Sequence, residues 1–304
     1  MKTVAIERMS SLNSASIAEH FETGPAFPCI LTDAVSEWPA LDKWSIDFFA
    51  SNYSEEFGVA SISFENSTSG KMTKLGSFID NLDKPFSEIP GYWIVDGQPL
   101  LADPEIDETL VWSFSWQPFK KHPELLDDIS PFPPCIPNIT AHLPADISNI
   151  LEYVYGLDFY SIFLSRKNVI VPLHIDFHHT IACLVQFEGD KTVHLFAPDD
   201  YQKADGANFD PENPDFGLFP EMRDRAMYSS VLAPGEMLII PPRWWHYTRN
   251  EDHSLTLSHN FFNHTNFAPC IRRVFEDMCA REDKQALCDR IGEFLHSGGG
   301  EGSP

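Results

Sequence analysis

The chain has 304 residues, and its 21 Lys and Arg against 45 Asp and Glu leave a net charge of −24. That balance argues against a nucleic-acid partner, whose phosphates are held mainly by Lys and Arg, and against docking on an anionic membrane. Hydrophobic content of 43% with 13% aromatics excludes a disordered chain and is ample for a core without staples.

The opening stretch, MKTVAIERMSSLNSA, lacks the apolar segment of a secretory signal. No run reaches the roughly 18 apolar residues of a membrane span; the best, residues 153–164, is interrupted by Asp158. Residues 11–60 read as mostly helical, broken at Pro25, Pro28 and Pro39, with Cys29-Ile30-Leu31-Thr32 a candidate buried strand. Residues 85–145, rich in Pro and aromatics, read as long loops with short helices. From 159 the texture becomes short β-rich runs at 159–164, 169–173, 181–187, 192–196, 237–240 and 255–262, which predicts an antiparallel barrel or sandwich rather than βαβ units. A long insertion at 199–230 carries Asp199, Asp200, Asp205, Asp210, Glu212 and Asp215, and such loops are usually functional or mobile. Beyond Phe262 the spacing of Ile271, Val274, Phe275 and Met278, and of Leu287, Ile291 and Phe294, predicts helices with apolar faces. Residues 297–304 are Gly-rich and are expected to be a disordered tail. Six cysteines (Cys29, Cys135, Cys183, Cys270, Cys279 and Cys288) form no Cys-x-x-Cys pair, so a zinc ribbon is not expected. Reduced thiols in a cytoplasmic protein are the simplest reading.

Three His-x-acid pairs are candidate metal ligands: His20/Glu22, His122/Glu124 and His174/Asp176. Residues i and i+2 share a face in a strand but diverge by about 200° in a helix. His20/Glu22 lies in helical texture and His122/Glu124 flanks Pro123. His174/Asp176 closes the extended run Val169-Ile170-Val171-Pro172-Leu173, so both side chains can reach one ion. A third ligand is offered by His246, which follows the turn Pro234-Gly235, the buried run 237–240, Pro241-Pro242 and two Trp residues. Two histidines and one carboxylate with open positions form the facial triad of non-haem Fe(II) oxygenases.

With these residues in view, the sequence resembles the JmjC/cupin-like (cupin-8) family of Fe(II)- and 2-oxoglutarate-dependent oxygenases. Four segments carry the likeness, in the family's order: Pro28 to Trp44, with Leu31-Thr32-Asp33-Ala34-Val35 and Trp38-Pro39-Ala40-Leu41; Val171 to Asp176; Gly189 to Pro198; and Asp210-Pro211 through Phe219-Pro220, Pro234-Gly235 and Trp244-Trp245-His246 to Asn260-Phe261-Phe262. The resemblance implies a mainly β fold with helical additions (α+β): a double-stranded β-helix, or jelly roll, at 151–265, preceded by a helical and loop region at 1–150 and followed by helices at 266–296, all in one domain. It implies iron held by His174, Asp176 and His246, and 2-oxoglutarate and O₂ as co-substrates. It assigns Lys191 to the distal carboxylate of 2-oxoglutarate, which agrees with the need for a fixed positive charge beside a dianion. Thr180 and Asn260 fall where members place residues near the co-substrate and the iron-bound carboxylate; both equally suit polar filling of the barrel. Val171 stands where some members have a co-substrate-binding Thr, and Tyr160 is a candidate replacement for that hydroxyl. His178 and Trp245 are candidate substrate contacts.

The implied activity is dioxygenase hydroxylation of a C–H bond, with N-demethylation a less favoured variant. The substrate reading is a protein or peptide side chain, which the acidic 199–230 segment could attract. The alternatives are a small molecule, such as a free or carrier-bound amino acid, and a non-catalytic metal-binding cupin. No nucleic-acid or membrane partner is expected, and the C-terminal helices are a candidate homodimer interface.

Overall fold

The computed structural model describes residues 1–10, 17, 27–61, 70–95, 98–100, 113–145, 147–149, 151, 159–176, 179–198 and 209–272. Along the chain, strands β1 (Lys2–Ala5), β2 (Glu7–Met9) and β3 (Cys29–Leu31) precede helices α1 (Ala40–Lys43) and α2 (Ile46–Tyr53). Strands β4 (Phe57–Ser61) and β5 (Gly70–Lys74), helix α3 (Leu75–Ile79), strands β6 (Tyr92–Val95), β7 (Gln98–Pro99) and β8 (Ser113–Trp116), and helix α4 (Glu124–Asp128) follow. The remaining strands are β9 (Tyr160–Ser165), β10 (Ile170–His174), β11 (Ile181–Glu188), β12 (Lys191–Phe196), β13 (Ala226–Leu232), β14 (Met237–Ile240), β15 (Trp245–Asn250) and β16 (Ser254–Phe261).

Strands β9 to β16 divide between two sheets. One runs β13-β12-β15-β10 with β1 added beside β13; the other contains β14-β11-β16-β9. Two four-stranded sheets exchanging successive strands in this way form a jelly roll. The larger sheet continues on both sides, to β3 and β2 at one edge and through β8, β4, β5, β6 and β7 at the other.

Side-chain alternation produces three apolar layers. Between the sheets, Val193, Leu195 and Leu232 meet Ala182, Leu238, Ile240 and Ile30, closed by Ile6 and Trp244. On the outer face of the larger sheet, Ile162, Leu164, Cys183, Val185, Leu255 and Leu257 pack under the N-terminal helices. Outside the smaller sheet, Phe209, Phe219 and Met222 cover Leu173, Phe196 and Tyr247. All six residues of β12 are buried because both its faces are covered.

The N-terminal layer is held by specific contacts. Ser45 caps α2 by accepting from Phe48 N at 3.0 Å, and Asp47 lies in the first turn near the positive helix end. Glu188, at the end of β11, accepts from Ile46 N at 2.8 Å, joining that helix to the barrel. Asp128 receives Trp44 Nε1 at 2.9 Å and Lys43 Nζ at 2.7 Å.

Several expectations need correction. Residues 57–61 and 92–116 contribute β4 and β6 to β8, where the sequence suggested helix and loop; the barrel sheet therefore extends into the N-terminal half. The 199–230 insertion ends earlier, since β13 begins at Ala226, and β15 is a strand that Trp-rich texture concealed. Cys29–Leu31 is the buried strand expected. The helical patterns beyond 272, the 297–304 tail, His20/Glu22 and Cys279 and Cys288 lie outside the described residues. Cys29, Cys135, Cys183 and Cys270 are free thiols. Among the described residues, no helix is long and apolar enough to cross a membrane.

Candidate metal centre

His174 ends β10 and His246 is the second residue of β15; the two strands are antiparallel and these residues face each other in register. A register irregularity between Val171 and His174 marks the last turn of β10 before the chain leaves the sheet. The imidazole centroids lie 4.0 Å apart. Asp176, two residues past the strand, brings Oδ1 to 4.0 Å from His174 Nε2 and 3.7 Å from His246 Nε2. Three ligand atoms thus lie within 4.8 Å of one another.

Both rings are oriented by the same device. His174 Nδ1 donates to Pro172 O at 2.8 Å and His246 Nδ1 donates to Trp244 O at 3.1 Å. Each carbonyl lies two residues before its histidine, so each Nε2 is left unprotonated and aimed inward. Burial, and then the neighbouring His246, push the His174 imidazole down to about 4, which keeps it neutral and fit to ligate. The far oxygen of the carboxylate is also held: Asn260 Nδ2 donates to Asp176 Oδ2 at 3.0 Å and to Thr180 Oγ1 at 2.8 Å. Oδ1 alone is then offered to an ion. Two imidazole nitrogens and one carboxylate oxygen, clustered on one side of an open point, fit a non-haem Fe(II).

Lys191 begins β12 and pairs with Asn250 of β15, on the same inward face as His246. The lysine is 5% exposed, and its one acceptor among the described residues is Asn250 Oδ1 at 2.6 Å. Burial pushes the ammonium down to about 7. A buried cation facing only a neutral amide is electrostatically incomplete, so the residues fit an anionic co-substrate. Asn250 was missed by sequence reasoning. Its signal is the period-two alternation of His246, Thr248 and Asn250, visible once β15 is recognised as a strand.

The structure does not bring the other candidates together with the triad. Tyr160 pairs with His259, stacks on its ring at 3.8 Å, and faces the N-terminal layer; Ser161, one residue on, shares the face of Asn260. The Tyr160 hydroxyl therefore lies on the face of the sheet opposite Asn260 and the His-Asp-His cluster. Trp245 is likewise out of phase with His246 and packs into the outer layer with Phe216. His178 lies outside the described residues. His122 is held between Glu56 and Glu124, each at 3.3 Å, beside α4 rather than at a metal site. Of the insertion's acids, Glu212 accepts from Tyr247 Oη at 2.9 Å and Arg249 Nε at 2.7 Å on the outer face of β15.

A family profile described as a cupin-like domain matches residues 18–268. Similar curated proteins include the Jumonji C domain-containing protein 5 of Drosophila melanogaster, 26% identical over 256 residues covering 78% of this chain and 55% of that protein. Lysine-specific demethylase 8 of Xenopus tropicalis is 24% identical over 257 residues, covering 79% and 50%. The human bifunctional peptidase and (3S)-lysyl hydroxylase JMJD7 is 22% identical over 262 residues, covering 74% of each. The chain spans about half the length of the first curated relatives it matches. Jelly-roll topology, an inward His-Asp-His cluster and a profile match over most of the chain agree, and the chain belongs to the JmjC-like cupin-8 family.

Proposed function

We propose that this protein is an Fe(II)- and 2-oxoglutarate-dependent dioxygenase that hydroxylates a C–H bond of a protein or peptide side chain. The observation that carries the reading is the convergence on one barrel face of the His174–Asp176–His246 cluster and a buried ammonium that meets no counter-charge among the described residues. Iron and 2-oxoglutarate, when bound, supply oxidising power through O₂ reduction coupled to decarboxylation to succinate and CO₂. The chain's own residues do the rest. His174 Nε2, His246 Nε2 and Asp176 Oδ1 would hold the ion. Asn260 keeps the second carboxylate oxygen occupied. The Lys191 ammonium would receive the distal carboxylate of the co-substrate, while Val193, Leu195 and Leu232 line the apolar barrel interior.

The polypeptide substrate is favoured by two considerations. Relatives at comparable identity carry the names lysine-specific demethylase and lysyl hydroxylase. A net charge of −24 also steers basic segments toward the protein and nucleic acids away.

The test is spectroscopic first. Anaerobic protein with Fe(II) and 2-oxoglutarate is expected to show the visible charge-transfer band of the chelate, and His174→Ala to lack it. Succinate release is then measured against peptides and free amino acids, with a product one oxygen heavier sought by mass spectrometry. Absence of the band in the wild type refutes the enzyme reading; turnover of amino acids without peptides replaces the substrate class.

A further inference from the structure

We infer that Thr248 is a specificity-determining residue whose hydroxyl, together with Lys191, grips the distal carboxylate of the co-substrate; the inference rests on the 2-oxoglutarate reading of this site.

Three side chains of β15 alternate onto the inward face: His246, Thr248 and Asn250. The outer two have assigned work, His246 in the metal cluster and Asn250 as the acceptor for Lys191. Thr248 lies between them. Its cross-strand neighbours are Val193 of β12 and Val171 of β10, so its hydroxyl is the one polar group of an apolar trio.

Thr248 is 5% exposed, yet its hydroxyl makes no hydrogen bond to any described residue. It is also not among the sealed side-chain polar atoms that lack a partner, which among the described residues are His122 Nε2 and His194 Nδ1. The hydroxyl therefore opens on the barrel interior. Other buried threonines have partners: Thr73 bonds Pro90 O, Thr140 accepts from Phe262 N, Thr180 from Asn260, Thr192 bonds Glu251 and Thr256 bonds Gln186. Valine has nearly the same shape and suits a buried strand better, because a buried hydroxyl without a partner costs free energy. The hydroxyl at 248 thus contributes nothing to the fold and is explained by a ligand.

The spacing selects that ligand. Two strand residues, about 7 Å, separate the levels of His246 and Thr248. A short dicarboxylate chelated beside His246 extends its far end to this level, where the lysine and the threonine flank it. Both donors then serve one carboxylate, and the chain length between the chelating and distal groups is measured by the strand itself.

The test uses the full chain loaded with Mn(II) and titrated anaerobically with 2-oxoglutarate or with oxalate, which chelates the metal but has no distal carboxylate. Thr248→Val is expected to weaken 2-oxoglutarate binding about tenfold, the scale of one hydrogen bond to a charged group. Oxalate and Mn(II) affinities are expected to stay at wild-type values, and Thr248→Ser, which keeps the hydroxyl, to restore most of the loss. Unchanged 2-oxoglutarate affinity in Thr248→Val, an equal loss for oxalate, or Thr248→Ser as weak as Thr248→Val each overturns the inference and leaves the proposed function standing. A wild-type protein that binds oxalate but not 2-oxoglutarate overturns both.

Discussion

Replacing Lys191 by Met separates what the residue does for folding from what it does for function. Burial brings its ammonium from the ordinary 10.5 down to about 7, and the only compensation among the described residues is the neutral Asn250 amide. At about 1.4 kcal/mol per tenfold change in proton affinity, holding the charge inside costs up to about 5 kcal/mol, an upper bound that penetrating water lowers. The unfolded chain binds the proton more tightly between pH 7 and 10.5, so stability rises with pH across that window and falls as pH drops towards 7. The metal-free Met variant is therefore expected to melt higher than wild type at pH 7, by about 5 °C or more given about 2–4 °C per kcal/mol for domains of 150–250 residues. The gap is expected to close as pH approaches 10.5. With Mn(II) and 2-oxoglutarate present the order reverses, because the co-substrate raises the melting point of wild type alone. Circular dichroism melts from pH 6 to 10, with and without both ligands, provide the measurement. A Met variant less stable than wild type at every pH, or one that keeps the co-substrate shift, refutes the reasoning.

Other outcomes follow from the same geometry. Asn260→Ala frees Asp176 Oδ2 and is expected to weaken Mn(II) binding about 10–100-fold in an electron paramagnetic resonance titration. Tyr160→Phe, on the far side of the sheet, is expected to leave 2-oxoglutarate affinity unchanged in an anaerobic titration of the Mn(II)-loaded protein; a clear loss contradicts the assigned strand parity. Gln186→Leu removes an amide that bonds Ser254, Thr256 and the carbonyls of Glu188 and Gly189 at 2.7–2.8 Å. Its fully buried position makes a loss of about 2–4 kcal/mol in denaturant unfolding the expected result, since several partners are orphaned together.

Strand parity decides which part of the site was legible in the sequence. His174 and Asp176 could be chosen over two other His-x-acid pairs because only their segment was extended, and the structure brings them together with His246. Lys191 was pointed to by the likeness of the Gly189 to Pro198 segment to its family counterpart, and the structure buries it at the start of β12. Tyr160 and Trp245 illustrate the opposite. Each sits on a strand that reaches the site, and each is one residue out of phase, which turns its side chain to the outer layer. Register against the partner strand sets that phase, and register is a long-range property that no local pattern contains. The same limit hid β4 to β8: Phe57–Ser61 and Ser113–Trp116 are short, and pairing with each other and with β9 makes them strands.

The outer layer of the smaller sheet bears on how rigid the metal site is. Glu212 reaches from the insertion to Tyr247 and Arg249, which alternate with His246, Thr248 and Asn250 along β15. Arg249 also pairs with Glu251 at 2.8 Å, and Glu251 accepts from the Thr192 hydroxyl. The strand that carries a metal ligand inward is thus clamped from outside. Arg249 and Tyr247 hold the Glu212 carboxyl below its ordinary range against the opposing effect of burial, so the clamp is strongest with that group ionised. Glu212→Gln is expected to lower stability by about 1–3 kcal/mol, the range for hydrogen bonds to a charged group, at neutral pH. The difference from wild type is expected to shrink as acid protonates the wild-type carboxylate, because the advantage of a depressed carboxyl is lost as pH falls through its folded value. If the clamp acts through β15, Mn(II) affinity falls with it; if stability falls and Mn(II) affinity does not, backbone pairing of β15 with β10 and β12 alone suffices to hold His246 in place.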